Sequence, residues 1–218
     1  MSIFKTTALA AATAALCAGP VPAQTAPTTI TITGNSAANS AGVAGFGDVP
    51  LSRSPFSATV ISASQLQDAG IASLADITRL DAGITDAYNA PGYWGQVAVR
   101  GFTLDNRFNF RRDGLPVNAE TVLPTANKAA LELLKGTSGI QAGTSSPGGL
   151  LNLVVKRPTA RDLSAGGIEW VQPGTLELAA DVSRREGAVA WRLNASGTRL
   201  DPATRNSEGS RHLLALAG

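Results

Sequence analysis

The segment from Leu131 to Pro158, LELLKGTSGIQAGTSSPGGLLNLVVKRP, decides the fold of this chain. It contains two apolar runs, Leu131–Leu134 and Leu150–Val155, and each run ends in basic residues, at Lys135 and at Lys156–Arg157. Between the runs lies a segment rich in Gly, Ser, Thr and Pro, the residue types that favour turns. Two β-prone runs around a glycine-rich reversal predict two strands joined as a hairpin-like unit.

Short elements precede this unit. The run Ser57–Ser62 predicts a strand, and Ser64–Ala69 predicts one or two helical turns that Gly70 closes. A second helix is predicted from Ser73, because Ser73 and Asp76 have the spacing of a capping box. Leu74, Ile77 and Leu80 are expected on one face of this helix. Gly83 is expected to terminate it.

Two further motifs lie between these elements and the hairpin-like unit. They are Val97–Phe102, VAVRGF, and Phe110–Pro116, FRRDGLP. Within the second motif, Asp113–Gly114 is a strong signal for a tight turn between two strands.

After Pro158 apolar and polar residues alternate. The run from Leu176 to Ser183 alternates in this way, and so does the run from Val189 to Ser196. This pattern is typical of transmembrane barrel strands, and a half-buried sheet of a soluble sandwich alternates likewise. Two further strands are predicted, at Ile168–Val171 and His212–Ala217. A short polar turn is predicted at Arg184–Gly187, and a longer polar connection at Pro202–Ser210.

The N-terminus has the features of a secretory signal peptide. Lys5 supplies the positive charge, Ala8–Ala18 the short apolar stretch, and Val21–Ala23 the small-residue cleavage site. We therefore predict a signal peptide over residues 1–23, which would remove Cys17, the single cysteine. Residues 24–52 carry almost no charge and few large apolar side chains, so a flexible linker is predicted there.

The composition excludes one class of function. Of 218 residues, 18 are basic and 16 are acidic, and 44% are hydrophobic. A nucleic-acid-binding domain needs bases clustered on one face, and this near balance gives no such footprint. No nucleic-acid partner is expected.

The order and spacing of these motifs resemble one family, the TonB-dependent outer-membrane receptors of the ferric-siderophore type. The resemblance rests on Gly-x-x-Ser-Pro-Gly-Gly-x-x-Asn-x-x-x-Lys-Arg-Pro at Gly143–Pro158, on VRGF and on DGL. It implies an α+β plug domain over residues 53–158, with a small mixed β-sheet and short helices. Residues 163–218 would be the first three to four antiparallel strands of an incomplete transmembrane β-barrel.

The resemblance also assigns partners to the linker. The alternating segment Thr29–Thr33, made of Thr29, Ile30, Thr31, Ile32 and Thr33, is similar to the TonB box. In the family this segment pairs as an added strand with TonB, which is energised together with ExbB and ExbD. A β-prone patch of a linker without function is the alternative. The implied location is the outer membrane of a Gram-negative bacterium, reached through the signal peptide.

Plug loops form the floor of the ligand pocket in this family. The candidates here are aromatic residues and hydrogen-bonding residues, and the alternative is that the aromatic side chains pack against the barrel wall. A ferric siderophore brings its own iron ligands, so no metal site and no cofactor are expected in the protein itself. The candidate residues are Tyr88, Tyr93, Trp94, Asn106, Arg107 and Thr121.

Two basic residues match plug residues that pair with carboxylates on the inner barrel wall in this family. They are Arg100 and Lys135, and the expected partners are not in this sequence. Receptors of this kind close with about 22 strands. Residues 163–218 hold at most about four strands of ~10 residues, so the chain is expected to be the N-terminal part of a larger receptor.

The sequence therefore predicts a ferric-siderophore import receptor without enzymatic activity. A free periplasmic plug-like binding module without transport is the first alternative. The second is a secreted hydrolase that uses His212, the single histidine, with a Ser and an Asp. We expect His212 to face the barrel lumen instead, since it lies in a strand pattern without a visible catalytic partner.

Overall fold

The computed structural model describes residues 51–53, 57–71, 73–88, 94–136, 147–171, 174–201 and 205–218. These residues all belong to one compact unit, Asn35–Gly218. One α-helix, α1, spans Ala63–Asp68, and two 3-10 helices span Leu51–Arg53 and Leu74–Arg79. The strands are β1 (Ser57–Ser62), β2 (Ile84–Asp86), β3 (Val97–Val99), β4 (Phe102–Thr103), β5 (Phe110–Arg112), β6 (Leu115–Pro116), β7 (Lys128–Lys135), β8 (Gly149–Val155), β9 (Leu163–Val171), β10 (Thr175–Glu186), β11 (Val189–Leu200) and β12 (Gly209–Ala217).

The centre of the N-terminal half is a mixed five-stranded sheet with the order β1-β7-β8-β5-β6. Strands β5 and β8 are parallel, and the other neighbours are antiparallel. The predicted hairpin-like unit is confirmed, because Leu131 pairs with Leu153 and Leu134 pairs with Leu150. A mixed sheet with a few short helices is the fold class that the sequence predicted.

Strands β7 and β8 lie in the middle of this sheet and are mostly apolar, and the buried polar side chains Glu132 and Asn152 are hydrogen-bonded to each other at 2.9 Å. Both faces of a central, covered strand are buried, so its sequence is a continuous apolar run rather than an alternating one. The helices contribute further side chains to the same core. The fully buried residues around it include Ile77, Val97, Val99, Leu104, Phe110, Leu131, Leu133, Leu151 and Leu153.

Capping interactions fix both short helices of the core. Ser62 caps α1, since the amide of Gln65 donates to Ser62 Oγ at 3.3 Å and the Ser62 amide donates to Gln65 Oε1 at 2.9 Å. At the second helix the Ser73 amide donates to Asp76 Oδ2 at 2.9 Å, as its capping-box spacing predicted. This element is a 3-10 helix that ends at Arg79, however. The prediction of a helix that continues to Gly83 with Leu80 on its apolar face is wrong, because Leu80 follows the helix end and is 38% exposed.

The chain between β1 and β5 forms a second sheet, with three strands in the order β2-β3-β4. Strands β3 and β4 are joined by Arg100–Gly101, and β5 and β6 by Asp113–Gly114. All four of these turn residues have positive φ, between 50° and 83°. Positive φ at both central residues defines the type I′ turn, which matches the twist of paired strands. The turn predicted at Asp113–Gly114 is therefore confirmed.

The C-terminal part forms a four-stranded antiparallel sheet with the order β12-β11-β10-β9. One face carries Glu177, Asp181 and Ser183, and the opposite face is mostly apolar, as the alternation predicted. Each strand is longer than the corresponding prediction. The large exposed side chains of the apolar face are Ile168, Trp170, Leu176, Leu178, Val189, Trp191, Leu214 and Leu216.

Two expectations for this sheet are wrong. The connection predicted at Arg184–Gly187 is shorter, because β10 continues to Glu186 and β11 begins at Val189. His212 lies on the exposed apolar face with Leu214 rather than on the polar face. It pairs with Gly197, and its Nδ1 lies 3.5 Å from the position that a Cβ of Gly197 would take. The absence of a side chain at Gly197 leaves the imidazole room on that face.

Helices do not provide a membrane crossing in the described ranges. None of the helices there has the length and apolar character that a transmembrane helix needs.

Candidate functional site

Three loops leave the two sheets at one end, which we call the three-loop end. Loop A (87–96) connects β2 to β3, and the pairing of Asp86 with Val97 closes it. Loop B (104–109) starts beside the same pair, since the Leu104 amide donates to the Val97 carbonyl at 2.9 Å. Loop C (117–121) is bonded to loop B through Ala119, whose amide donates to the Asn106 carbonyl at 2.8 Å. The sheet topology therefore brings together the loops that carry the predicted ligand residues.

Loop A presents an aromatic pair. The rings of Tyr88 and Trp94 lie 4.7 Å apart between centroids, at an interplanar angle of 31°. Tyr88 is 49% exposed, and its amide donates to Asp86 Oδ1 at 3.1 Å. Tyr93, also predicted to bind ligand, lies outside the described residues. The pair offers a partly exposed aromatic surface.

Loop B presents a guanidinium held by a carboxylate. Arg107 Nη2 lies 3.3 Å from Asp105 Oδ2, and the Arg107 amide donates to Asp105 Oδ1 at 2.8 Å. These hydrogen bonds hold the pKa of Asp105 below its usual value and raise the pKa of Arg107. The guanidinium carbon also lies 5.2 Å from the centroid of the Phe108 ring. Arg107 is thus exposed and oriented, with its charge largely balanced by its neighbour.

Asn106 holds the loops together rather than lying at the surface. Its side chain is buried, with the residue 5% exposed, and Nδ2 donates to the Ala119 carbonyl at 3.2 Å. Thr121, by contrast, is exposed in loop C. A direct ligand contact by either residue stays a prediction, and the burial of Asn106 favours a role in positioning loops B and C.

Of the two predicted contacts with a barrel wall, Arg100 lies in the turn at the end of β3 away from loop A, and Lys135 ends β7, opposite Gly149. Arg100 is exposed in its turn, and no ion pair joins it to a carboxylate within the described residues. Lys135 Nζ lies 2.5 Å from Asp81 Oδ2, and these side chains are 14% and 8% exposed. The sequence did not predict this partner. A contact of either base with further barrel strands remains a prediction.

Asp81 joins three elements of the core. Its carboxylate accepts hydrogen bonds from Lys135, from Thr59 Oγ1 at 2.7 Å and from the Gly83 amide at 2.8 Å. Burial by itself raises the pKa of Asp81, but these hydrogen bonds outweigh burial and hold the pKa below its usual value of 3.8. The folded protein therefore favours the charged carboxylate.

We expect Asp81→Asn to lower the free energy of unfolding by ~3 kcal/mol at pH 7, because it leaves a mostly buried ammonium without its counter-ion. Thr59→Val removes one donor and keeps the ion pair, so it should cost about 1 kcal/mol. The stabilisation by Asp81 is complete above the unfolded pKa of 3.8 and is lost as the pH falls through the lower folded value. Denaturant unfolding in detergent micelles, followed by tryptophan fluorescence from pH 7 to pH 2.5, measures both effects. Equal stability of Asp81→Asn and the unchanged chain at pH 7 would contradict this account.

A second ion-pair cluster joins the end of β8 to the four-stranded sheet, and sequence reasoning missed it. Lys156 Nζ lies 3.0 Å from Asp181 Oδ2, and Arg192 Nη2 lies 2.7 Å from the same oxygen. Arg192 also donates to the carbonyl of Arg157 at 2.9 Å. We call Lys156, Asp181 and Arg192 the junction triad. The basic pair after β8 was the available signal, but its acidic partner lies 25 residues away in sequence.

A cavity of about 570 Å³ lies beside the junction triad, between α1 and strands β9 and β10. Lys128 lines it and is 4% exposed, and its ammonium donates to Asn127 Oδ1. Burial, aided by the charge of Arg112 and opposed by that of Asp113, lowers the pKa of Lys128 from 10.5 to about 8. Across the described ranges, no group of three or more His, Cys, Asp or Glu side chains is arranged to hold a metal ion.

Comparison with known proteins identifies the class of this chain. Residues 50–150 match the model of the TonB-dependent receptor plug domain. Residues 50–150 are therefore a TonB-dependent receptor plug domain, and the five-stranded sheet with its short helices lies largely within this match.

The relatives are siderophore receptors and transporters. The chain is 34% identical over 99 residues to the catecholate siderophore receptor Fiu of Escherichia coli K12, which covers 43% of this chain and 12% of that protein. It is 26% identical over 136 residues to the ferrichrome outer membrane transporter and phage receptor of the same strain, covering 59% of this chain and 18% of that protein. The closed crystal form of Fiu matches with a TM-score of 0.68 at 25% identity, over 77% of this chain and 24% of that chain. The chain thus spans less than a fifth of the length of these curated relatives.

Proposed function

We propose that this chain is the N-terminal part of an outer-membrane receptor that binds and imports ferric siderophores, and that it has no enzymatic role. The plug domain and the siderophore-receptor relatives support the class. The three-loop end carries the proposal about ligand binding. It combines a partly exposed aromatic pair with an oriented guanidinium, which suits a bulky chelate that brings its own iron ligands.

In this proposal, each part of the chain has a separate role. We propose a signal peptide at residues 1–23, a linker at 24–52, the plug at 53–158 and barrel strands from 163 onward. The segment Thr29–Thr33, which lies outside the described residues, would pair with TonB, energised by ExbB and ExbD. The apolar face of the four-stranded sheet would face the lipid of the outer membrane.

Binding of an iron chelate to the chain tests this proposal. We expect the chain, refolded in detergent micelles, to retain ⁵⁵Fe-labelled siderophore in equilibrium dialysis. Trp94→Ala removes one ring of the aromatic pair and should weaken binding about ten-fold, in the range for an aromatic contact residue. Trp191→Phe, on the exposed apolar face of the four-stranded sheet, is the matched control and should leave binding unchanged. A folded chain that retains neither a hydroxamate nor a catecholate chelate would contradict the proposed function.

A further inference from the structure

Loop B contains a small closed turn with Arg107 at its middle. The Asp105 carbonyl accepts hydrogen bonds from the amides of Phe108 at 3.2 Å and Asn109 at 2.9 Å. The Asp105 amide in turn donates to Asn109 Oδ1 at 3.2 Å. Both backbone groups of Asp105 are thus held by residues at the end of the loop.

The Asn109 side chain also fixes this turn to the five-stranded sheet. Its Nδ2 donates to the Gly149 carbonyl at 2.6 Å, and the Asn109 carbonyl accepts from the Leu151 amide at 2.9 Å. Gly149 and Leu151 belong to β8, which lies in the middle of that sheet. Asn109 is 0% exposed, so water does not compete for these hydrogen bonds. One amide side chain therefore joins the first residue of the turn to a central strand.

The orientation of Asp105 determines where the Arg107 guanidinium lies. Asp105 Oδ1 accepts from the Arg107 amide at 2.8 Å, and Oδ2 accepts from Nη2 at 3.3 Å. The side chain of Arg107 is 61% exposed, whereas that of Asp105 is 28% exposed. The exposed guanidinium is therefore held by a carboxylate whose own backbone is bonded to Asn109. An arginine that is held in place before binding loses less side-chain entropy when a ligand arrives.

We propose that Asn109 is a positioning residue for ligand binding, because it holds the Asp105–Arg107 pair in one orientation at the surface of loop B. The inference rests on the proposed function, which assigns this loop to the ligand. Asn109 is buried and acts through Arg107 rather than by touching the ligand. The ligand group that Arg107 would contact is an acceptor oxygen of the chelate, since a guanidinium only donates hydrogen bonds.

A purely structural role of Asn109 predicts a different result, and Asn152 provides the comparison. Asn152 lies in β8 and is 4% exposed. It donates to Glu132 Oε2 at 2.9 Å and accepts from the Gly114 amide at 2.9 Å. Asn109→Ala and Asn152→Ala each remove one buried donor and one buried acceptor, so both should lower the stability of the plug. Only Asn109→Ala should change the orientation of the Asp105–Arg107 pair.

The titration of Asp105 reports this orientation without any ligand, and ¹³C NMR of its carboxyl carbon in the whole chain in micelles measures it. The hydrogen bonds from Arg107 hold the pKa of Asp105 below its usual value of 3.8. In Asn109→Ala we expect this pKa to rise toward 3.8, because the turn no longer directs the carboxylate at Arg107. Asn152→Ala should leave the pKa of Asp105 as it is in the unchanged chain. Asn109→Ser replaces only one of the two hydrogen bonds, so it should give an intermediate pKa, and it serves as the test if the alanine chain does not fold.

Equilibrium dialysis of the same chains measures the effect on binding. The probes are ⁵⁵Fe-labelled ferrichrome, a hydroxamate chelate, and ⁵⁵Fe-labelled enterobactin, a catecholate chelate. For a probe that binds, Arg107→Ala should weaken binding about ten-fold and Asn109→Ala about five-fold. The double variant should bind no more weakly than Arg107→Ala alone, because Asn109 acts through Arg107. Asn152→Ala should leave the affinity unchanged.

An unchanged titration of Asp105 in the Asn109 variants overturns the inference. Two binding results also overturn it: independent losses that multiply in the double variant, and no effect of Arg107→Ala on a probe that binds. All three results leave the proposed function standing. Failure of the folded, unchanged chain to bind either probe overturns the proposed function, and the titration then still decides whether Asn109 positions the pair. Circular dichroism of each variant verifies that folded chains are being compared.

Discussion

Gly149→Ala is expected to prevent the five-stranded sheet from forming. Gly149 has a φ of +137°, a conformation that residues with a side chain rarely adopt. A Cβ built there would overlap the carbonyl oxygen of Leu134 on the neighbouring strand β7. Relief of the overlap requires the two central strands to separate. We expect a loss of more than about 4 kcal/mol, the size reserved for the most disruptive single substitutions.

Denaturant unfolding and far-UV circular dichroism of the chain in micelles measure this loss. Gly167→Ala in β9 is the matched control, since a Cβ there meets no atom within 4 Å. It should change stability by less than about 0.5 kcal/mol. A Gly149→Ala chain that unfolds at the same denaturant concentration as the unchanged chain would show that the sheet tolerates the side chain.

Asp181→Asn is expected to loosen the attachment of the plug to the four-stranded sheet. The substitution leaves Lys156 and Arg192, whose side chains are 18% and 12% exposed, as neighbouring cations without their shared counter-ion. Removing one partner of a buried ion pair costs about 3–5 kcal/mol. Because the break is local, trypsin cleavage after Lys156 should accelerate by about 100-fold, in line with an opening equilibrium shifted by ~3 kcal/mol.

Asp162→Asn is the matched control for this experiment. Asp162 also faces an arginine, but its side chain is 62% exposed and 4.0 Å from Arg184 Nε. An exposed pair contributes at most about 1 kcal/mol. The double variant Lys156→Met with Asp181→Asn should cost less than the sum of the two single variants, which measures the coupling within the triad. Additive losses would mean that Lys156 and Asp181 stabilise the chain independently.

The local chemistry of the sequence predicted the elements well. The strand Ser57–Ser62 has the predicted bounds, and β8 and the turn at Asp113–Gly114 occur where apolar runs and turn residues predicted them. Alternation after Pro158 predicted which side chains share each face of the four-stranded sheet. These features depend on residues close together in the chain, so sequence patterns contain them.

Contacts between distant residues were beyond this reasoning. Lys135 pairs with Asp81, and Lys156 pairs with Asp181. The separation of these partners along the sequence follows no periodic pattern, so the sequence gives no sign of either pair. The placement of His212 depended on strand register, because a shift by one residue moves a side chain to the other face. At the candidate site, the sequence predicted the right loops. It did not predict that Asn106 is buried between two of them.

Strand β1 has a mechanical consequence for the plug. Among the described strands it lies at one edge of the five-stranded sheet and is bonded only to β7, with Ser57 opposite Lys135. The junction triad holds the chain just after Val155, which lies opposite Lys128 at the other end of the strands. Ser57 and Val155 are thus separated by about 20 Å along the strands and only about 10 Å across them. Tension applied ahead of Ser57 therefore shears the β1–β7 ladder and loads its hydrogen bonds together, so that the strand yields at a threshold force instead of peeling away gradually.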